Sequence, residues 1–384
     1  MTHVAFSARH AAPVYAGVGP VVRALFVIAF ALAACHGAPA APDAPSSPWR
    51  VGPTKPTPRI EAGVTALGQR VVVAGGFYMA APLPPIATSV DVFDSSSTDA
   101  MHPLGTWLAP SPFPDIPMPL HHVQLAAIGT TLYLLGGLGE TSTSFPAEGS
   151  SWSLDTSTTG STWQAIATMP SGAERGSAGI IVAPPRIYLI GGASTTSALP
   201  DIIYYDITQD AWCPNPSTMV TCQAFPPLPV ALSHVAAARR LDGAFVVVGG
   251  LAGLTADTAV DTAYLLTVDQ QNMTGAWNAK SPMPAQVTSG LSSARGGCAY
   301  GLVGGQVVCA GGEGAGAFHL VQSYDPINDA WAQRCDMPAA RAGAQGAAIG
   351  ERLFVPGGSL SLPPIYEPED SLFVFAPLDT TTCS

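Results

Sequence analysis

Arg70-Val71-Val72-Val73-Ala74-Gly75-Gly76 is a short β-branched run stopped by two glycines, and it is the first of six such stretches. The others are Leu132-Tyr-Leu-Leu-Gly136-Gly137, Ile187-Tyr-Leu-Ile-Gly191-Gly192, Phe245-Val-Val-Val-Gly249-Gly250, Val307-Val-Cys-Ala-Gly311-Gly312 and Leu353-Phe-Val-Pro-Gly357-Gly358. Apolar runs of this length, rich in Val, Ile, Tyr and Phe and bounded by glycine, read as strands. The doublets are 61, 55, 58, 62 and 46 residues apart. A tryptophan recurs between successive doublets and one precedes the first, at Trp49, Trp107, Trp163, Trp212, Trp277 and Trp331, with a seventh, Trp152, also in the second interval. An apolar residue followed by Asp comes before each recurring Trp but the first, at Phe93-Asp94, Leu154-Asp155, Tyr205-Asp206, Val268-Asp269 and Tyr324-Asp325. A sixth pair, Leu378-Asp379, has no Trp after it.

Composition narrows the class. The 384 residues include 40 Gly and 37 Pro, and only 11% are charged, which excludes helical solenoids and coiled coils built on Glu, Lys and Arg. With 47% hydrophobic residues, the chain has ample apolar surface for a core. A net charge of −11, with Lys55 and Lys280 the only lysines, argues against nucleic acid, which needs clustered cations.

The order of Gly-Gly, apolar-Asp and Trp, with Met118-Pro119, Met169-Pro170, Met283-Pro284, Met337-Pro338 and the variant Leu228-Pro229 beyond, resembles the kelch repeat. The resemblance covers the chain from Trp49 to the C-terminus and is weakest where Pro356 enters the sixth strand. It implies an all-β fold, a six-bladed kelch-type propeller over residues 49–384 with four strands, a to d, in each blade. Turns such as Leu67-Gly68-Gln69 and Ile349-Gly350-Glu351 join strands a and b. The recurring Asp opens the c–d turn, and the Trp residues fill the space between blades. Because the last repeat lacks a Trp strand and the first has one to spare, the Trp49 strand is expected to complete blade six and close the ring.

Residues 1–34 read as a signal peptide. An apolar run from Ala24 to Ala34 follows Arg23 and is too short to span a bilayer. Its end, Leu32-Ala33-Ala34-Cys35, resembles a bacterial lipobox, which implies cleavage before Cys35 and acylation of its thiol. Residues 35–48, rich in Pro and Ala, read as an extended tether. The expected address is the bacterial cell envelope, lipid-anchored, with the outer membrane favoured because His36 rather than Asp follows the cysteine. The membrane is met through the anchor only, and the domain is periplasmic or surface-exposed.

Six cysteines remain in the mature chain, and an even number in an exported protein suggests disulfides. Cys213 and Cys222 bracket an inserted loop, Cys298 and Cys309 flank an a–b hairpin, and Cys335 and Cys383 are left for each other. Zinc is the alternative, but no CxxC occurs and the histidines are scattered. The adjacent His121 and His122 on a strand would point to opposite faces. No metal and no cofactor is expected.

Antiparallel alternation places the b–c and d–a loops on one face of the disc, and most long insertions fall there. Arg59, Arg175, Arg295 and Arg341 each lie 16 residues before a Gly-Gly, and His121 and His234 lie 15 before theirs. These six positions are expected to open strand a at the loop face. They are candidates to bind a carboxylate or sugar, against the alternative that each Arg bonds carbonyls between blades. Loop acids, among them Glu140, Glu148, Asp257, Asp261, Glu367, Glu369 and Asp370, could meet basic partners.

Two functions follow. The first is a non-enzymatic scaffold for protein or carbohydrate on the b–c/d–a loop face. The second is an exported sugar epimerase similar to the sialic acid epimerases, with Glu174 and Arg175 as the best carboxylate–cation pair for proton transfer. No ligand set of galactose oxidase type is found. Ser157-Thr-Thr-Gly160-Ser-Thr162-Trp163 approaches a sialidase Asp-box but lacks its Asp.

Overall fold

A computed structural model describes residues 47–78, 85–141, 144–214, 225–269, 274–286, 289–363 and 366–377. Residues 1–46, and with them the expected signal peptide, Cys35 and most of the expected tether, lie outside the described residues. Six antiparallel sheets of four strands each account for almost all of the regular structure among the described residues. Blade one shows the plan. Gly63–Leu67, Arg70–Ala74, Val90–Asp94 and Thr106–Trp107 pair in chain order. The first strands of the blades neighbour one another around the whole ring and so line its axis.

The ring closes with the N-terminal strand. Trp49–Val51 pairs with Leu372–Phe375, with Trp49 opposite Phe375, and supplies the outer strand of blade six. Pro356 sits on the last residue of its strand, opposite Leu372, so the ladder ends there instead of being interrupted.

The core is a set of layers between adjacent sheets. Val71, Val73 and Phe93 of blade one pack with Phe354 and Val374 of blade six, while Val72 and Val92 face Leu132 and Leu134 of blade two. Each Trp adds a polar stitch to these layers. Its indole N–H reaches a carbonyl in the segment leaving the previous blade: Trp107 to Pro53, Trp163 to Pro114, Trp212 to Ala167, Trp277 to Pro226, Trp331 to Ser281 and Trp49 to Cys335, all at 2.7–3.2 Å. A buried indole needs such a partner. The recurring Asp acts as read from the sequence: Asp94, Asp155, Asp206 and Asp325 each accept from the backbone N–H two residues on.

The Gly-Gly doublet is where blades touch. All six first glycines have positive φ, between 61° and 81°. At Gly191 a Cβ would fall on the Leu232 carbonyl oxygen of the next blade. Every second glycine donates its N–H to that neighbouring carbonyl: Gly76 to Leu120, Gly137 to Arg175, Gly192 to Leu232, Gly250 to Arg295, Gly312 to Arg341 and Gly358 to Arg59.

Cys298 and Cys309 are joined across their hairpin, with Cα atoms 5.5 Å apart. Cys213 and Cys335 are also disulfide-bonded. Cys222 and Cys383, the partners the sequence offers them, lie outside the described residues.

Candidate axial site

The four arginines are among the largest fully buried side chains, each at most 1% exposed. Their guanidinium groups are spent inside their own blades. Arg59 bonds the carbonyls of Gly75 and Ser89 and pairs with Asp91. Arg175 donates to Gly191 O at 2.9 Å and to Asp201 Oδ2 at 2.6 Å. Arg295 holds Gln322 Oε1 at 2.7 Å and the Cys309 carbonyl at 3.2 Å. Arg341 reaches the Ala340 carbonyl at 2.6 Å, the Ser371 hydroxyl and, at 3.5 Å, Glu369. In blades one, three and five the side chain ties the end of strand b to the b–c loop or to strand c, in blade six it holds the b–c loop, and each backbone carbonyl receives the glycine of the previous blade. Glu174 does not join Arg175: it accepts from the Gly172 N–H at 2.6 Å, and Asp201 takes the guanidinium.

The two histidines are not equivalent to the arginines. Leu120 and Leu232 receive the glycine N–H in their blades, so these leucines occupy the arginine position. His121 is one residue further on and bridges to Leu138. His234 is two further on, because blade four carries one extra residue before its doublet. The expectation that His121 and His122 point apart also needs correction. Neither lies in a regular strand, His122 has a φ of +52°, and the two Nδ1 atoms are in hydrogen-bond contact. Strand alternation does not apply to a left-handed residue.

That residue is part of a sixfold collar. Glu61, His122, Ser177, His234, Gly297 and Gly343 all have φ between 48° and 59°. Backbone bonds link them around the axis: Glu61 N–H to Gly343 O, His122 to Glu61, Ser177 to His122, His234 to Ser177 and Gly297 to His234, at 2.7–3.0 Å. One backbone conformation thus brings a carboxylate, two imidazoles and a hydroxyl together from four blades. Gly297 and Gly343 leave room. A Cβ on Gly343 would lie 2.5 Å from Glu61 Oε1, and one on Gly297 would lie 3.5 Å from Glu313 Oε1. Glu313, the residue after the blade-five doublet, turns back over the collar to within 3.9 Å of His234 Nε2.

The site is closed on the side of the a–b turns. Gln345 accepts from the Val64 N–H and donates to Val123 O, and the Tyr300 hydroxyl crosses the axis to accept from the Ile180 N–H at 3.2 Å. Between this floor and the collar lies a cavity of about 30 Å³, lined by Glu61, Ser177, His234, Gly297, Tyr300 and Gln345 among others. That is room for a water or a single ion. On the loop side Phe77 and Phe145 flank His121, with ring centroids 4.1 and 4.7 Å away.

Burial sets the charges. It holds His121 near a pKa of about 3 and His234 near about 4, and it pushes His122 well below the usual imidazole range, helped by the neighbouring His121. Burial, and then the charge of Glu313, raises Glu61 well above the carboxylate range, while burial raises Glu313 to about 7. Tyr366, from the blade-six loop, is raised by burial and by Glu61 and Glu313. The collar is therefore a buried cluster in which burial opposes charge on carboxyls and imidazoles alike. Such a cluster can exchange protons with a ligand or hold a cation. Glu61, His122 and His234 place ligand atoms within 4.8 Å of one another.

A second concavity opens on the loop face. About 530 Å³ in volume, it is lined by Ile86, Met118, Pro119, Gly139, Glu140, Thr141 and Glu148. It abuts the collar through Gly139, whose carbonyl accepts from His121 Nε2 at 3.2 Å.

A closed six-bladed β-propeller with a polar axial collar is the class these features define. No family model matches the chain. The Kelch-like protein terF of Aspergillus terreus (strain NIH 2624 / FGSC A1156) is 28% identical over 269 residues, 67% of this chain and 52% of that protein. The chain thus spans about half the length of the curated relative it matches. The solved structure of YjhT superposes with a TM-score of 0.65 at 15% identity, covering 86% of this chain and 98% of that one. The repeat pattern and the six blades are those of a kelch-type propeller, and the chain is similar over two thirds of its length to this kelch-like relative.

Proposed function

We propose that the protein is an envelope-anchored kelch propeller that binds a protein or carbohydrate ligand on its loop face. The observation that carries this is the 530 Å³ concavity, which combines apolar Ile86, Met118 and Pro119 with the carboxylates Glu140 and Glu148. Apolar walls with a few convergent polar groups suit a ligand bearing hydroxyls or a basic side chain. The buried arginines serve the scaffold in this reading, and Cys35 supplies the anchor. Glycan and basic-peptide arrays probed with the mature protein test the binding. Glu140→Lys with Glu148→Lys should abolish any specific signal, and a signal that survives both changes would place the ligand elsewhere. Cys35→Ala should move the protein from the membrane to the soluble fraction.

A second reading, a sugar epimerase, draws on the collar, where Glu61 and Glu313 stand beside His122 and His234. Proton transfer at an anomeric carbon needs such an acid–base pair, and here it would replace Glu174 with Arg175. Anomer exchange of N-acetylneuraminate followed by NMR separates the readings. Acceleration lost in Glu61→Gln would favour the enzyme, and an unchanged exchange rate would leave the binding protein.

A further inference from the structure

The hydrogen-bond network around the collar decides which nitrogen of each histidine carries the proton. Ser233 Oγ donates to the Gly253 carbonyl at 2.8 Å, which spends its only hydrogen. It must therefore accept from His234 Nδ1, 2.9 Å away. With Nδ1 donating, the neutral form of the ring presents its Nε2 lone pair to the Ser177 hydroxyl 3.1 Å away. The same logic runs through the histidine pair. His121 Nε2 faces the Gly139 carbonyl at 3.2 Å and must donate. Its Nδ1 is then an acceptor, so His122 Nδ1 donates to it. That leaves His122 Nε2 with a lone pair facing Glu61 Oε2 at 3.4 Å. Two relays, each anchored on a backbone carbonyl, leave both Nε2 atoms as acceptors, that of His122 facing the Glu61 carboxylate and that of His234 facing the Ser177 hydroxyl.

We propose that His122 Nε2, His234 Nε2 and the Glu61 carboxylate form an axial site for one borderline divalent first-row metal ion, zinc or its congeners. Two imidazoles and one carboxylate are a donor set that suits zinc and leaves a position open. Outer hydrogen bonds from Nδ1 to a hydroxyl or a second ring are the support that metal-bound histidines need. The 3.4 Å between His122 Nε2 and Glu61 Oε2 matches the edge of a tetrahedron with bonds of about 2.1 Å. The three ligand atoms lie within 4.8 Å of one another, so side-chain movements of about an ångström would close the site. The adjacent cavity of about 30 Å³ gives space for the ion and an exchangeable ligand. Glu61 is 6% exposed and Glu313 is 7% exposed, and the basic groups against them are the imidazoles of His122 at 3.4 Å and His234 at 3.9 Å, so an ion here would offset two buried carboxyl groups. This site does not depend on what the loop face binds.

Tag-free mature protein, stripped with a chelator, should take up one Co²⁺ per chain with a visible ligand-field band, and one Zn²⁺ should displace it. His122→Ala and His234→Ala should lose the band. Ser233→Ala keeps all three ligands but removes one relay, and should weaken Zn²⁺ binding about 10- to 100-fold. Zinc-edge anomalous diffraction from wild-type crystals gives a reading that needs no variant. A peak between Glu61, His122 and His234 supports the site. No uptake at millimolar Zn²⁺, a peak elsewhere, or affinity unchanged in a folded His234→Ala would overturn it.

Discussion

The arginine position and the collar position lie two residues apart in every blade, and each recurs six times around the same axis. At the first, the blades agree: the carbonyl accepts a glycine N–H in every blade, and the side chain is Arg or Leu, always buried. At the second, the backbone agrees and the side chains do not: Glu61, His122, Ser177, His234, Gly297 and Gly343 share one left-handed conformation. Repetition of side chain and backbone together marks what every blade needs to pack. A repeated backbone carrying dissimilar side chains marks a place where packing no longer dictates the residue and ligand chemistry can.

The comparison breaks most readily at the doublets. Gly191→Ala puts a methyl on the Leu232 carbonyl at a φ of +61°, and it should cost about 3 kcal/mol or more in urea unfolding. Gly350→Ala, at a φ of +58° with nothing within 4 Å, should cost only about 1 kcal/mol. Equal losses would show that backbone strain, not blade contact, makes the doublet necessary. Next comes Trp212→Phe, which keeps the ring but leaves the Ala167 carbonyl without its 2.7 Å donor, for about 1–3 kcal/mol.

A pH series sharpens the scaffold side. Lys55 is buried beside Arg59 and Asp91, and burial, then the Arg59 charge, lowers its pKa to about 7. The unfolded chain therefore binds more protons between pH 7 and about 10.4, and this residue's contribution should make stability rise across that window. The stability difference between wild type and Lys55→Met should climb from pH 7 to 9 in chemical unfolding. A flat difference would mean that Lys55 keeps an ordinary pKa. The smallest expected stability effect is at the collar: Ser177→Ala should change the unfolding free energy by less than about 1 kcal/mol.

Much of the scaffold was legible because each of its devices repeats in sequence. Gly-Gly, Asp and Trp could be counted, and the unpaired Trp49 and unfinished last repeat announced the closure. The arginines were found by the same regularity, and regularity also misplaced the histidines: one extra residue in blade four and a Leu at the arginine position in blade two moved the alignment by a residue or more. The collar was hidden for a physical reason. Its members share a backbone angle, not a residue type, and Glu61, His122, Ser177 and His234 lie far apart in the chain. A usable signal was the position two residues after each arginine, at Glu61, Ser177, Gly297 and Gly343, but only the structure shows that it faces the axis. Glu313 gave no such signal, since its importance depends on Gly297 having no side chain beneath it.

The protonation of the collar histidines is the feature on which the account turns, and nitrogen-detected NMR of the imidazole rings in chelator-treated protein reads it directly. The account predicts that His122 and His234 stay neutral at pH 6 with hydrogen on Nδ1 and a bare Nε2, and that both Nε2 signals shift when one equivalent of Zn²⁺ is added. Hydrogen on Nε2 of either ring, or charged imidazoles at that pH, would contradict it.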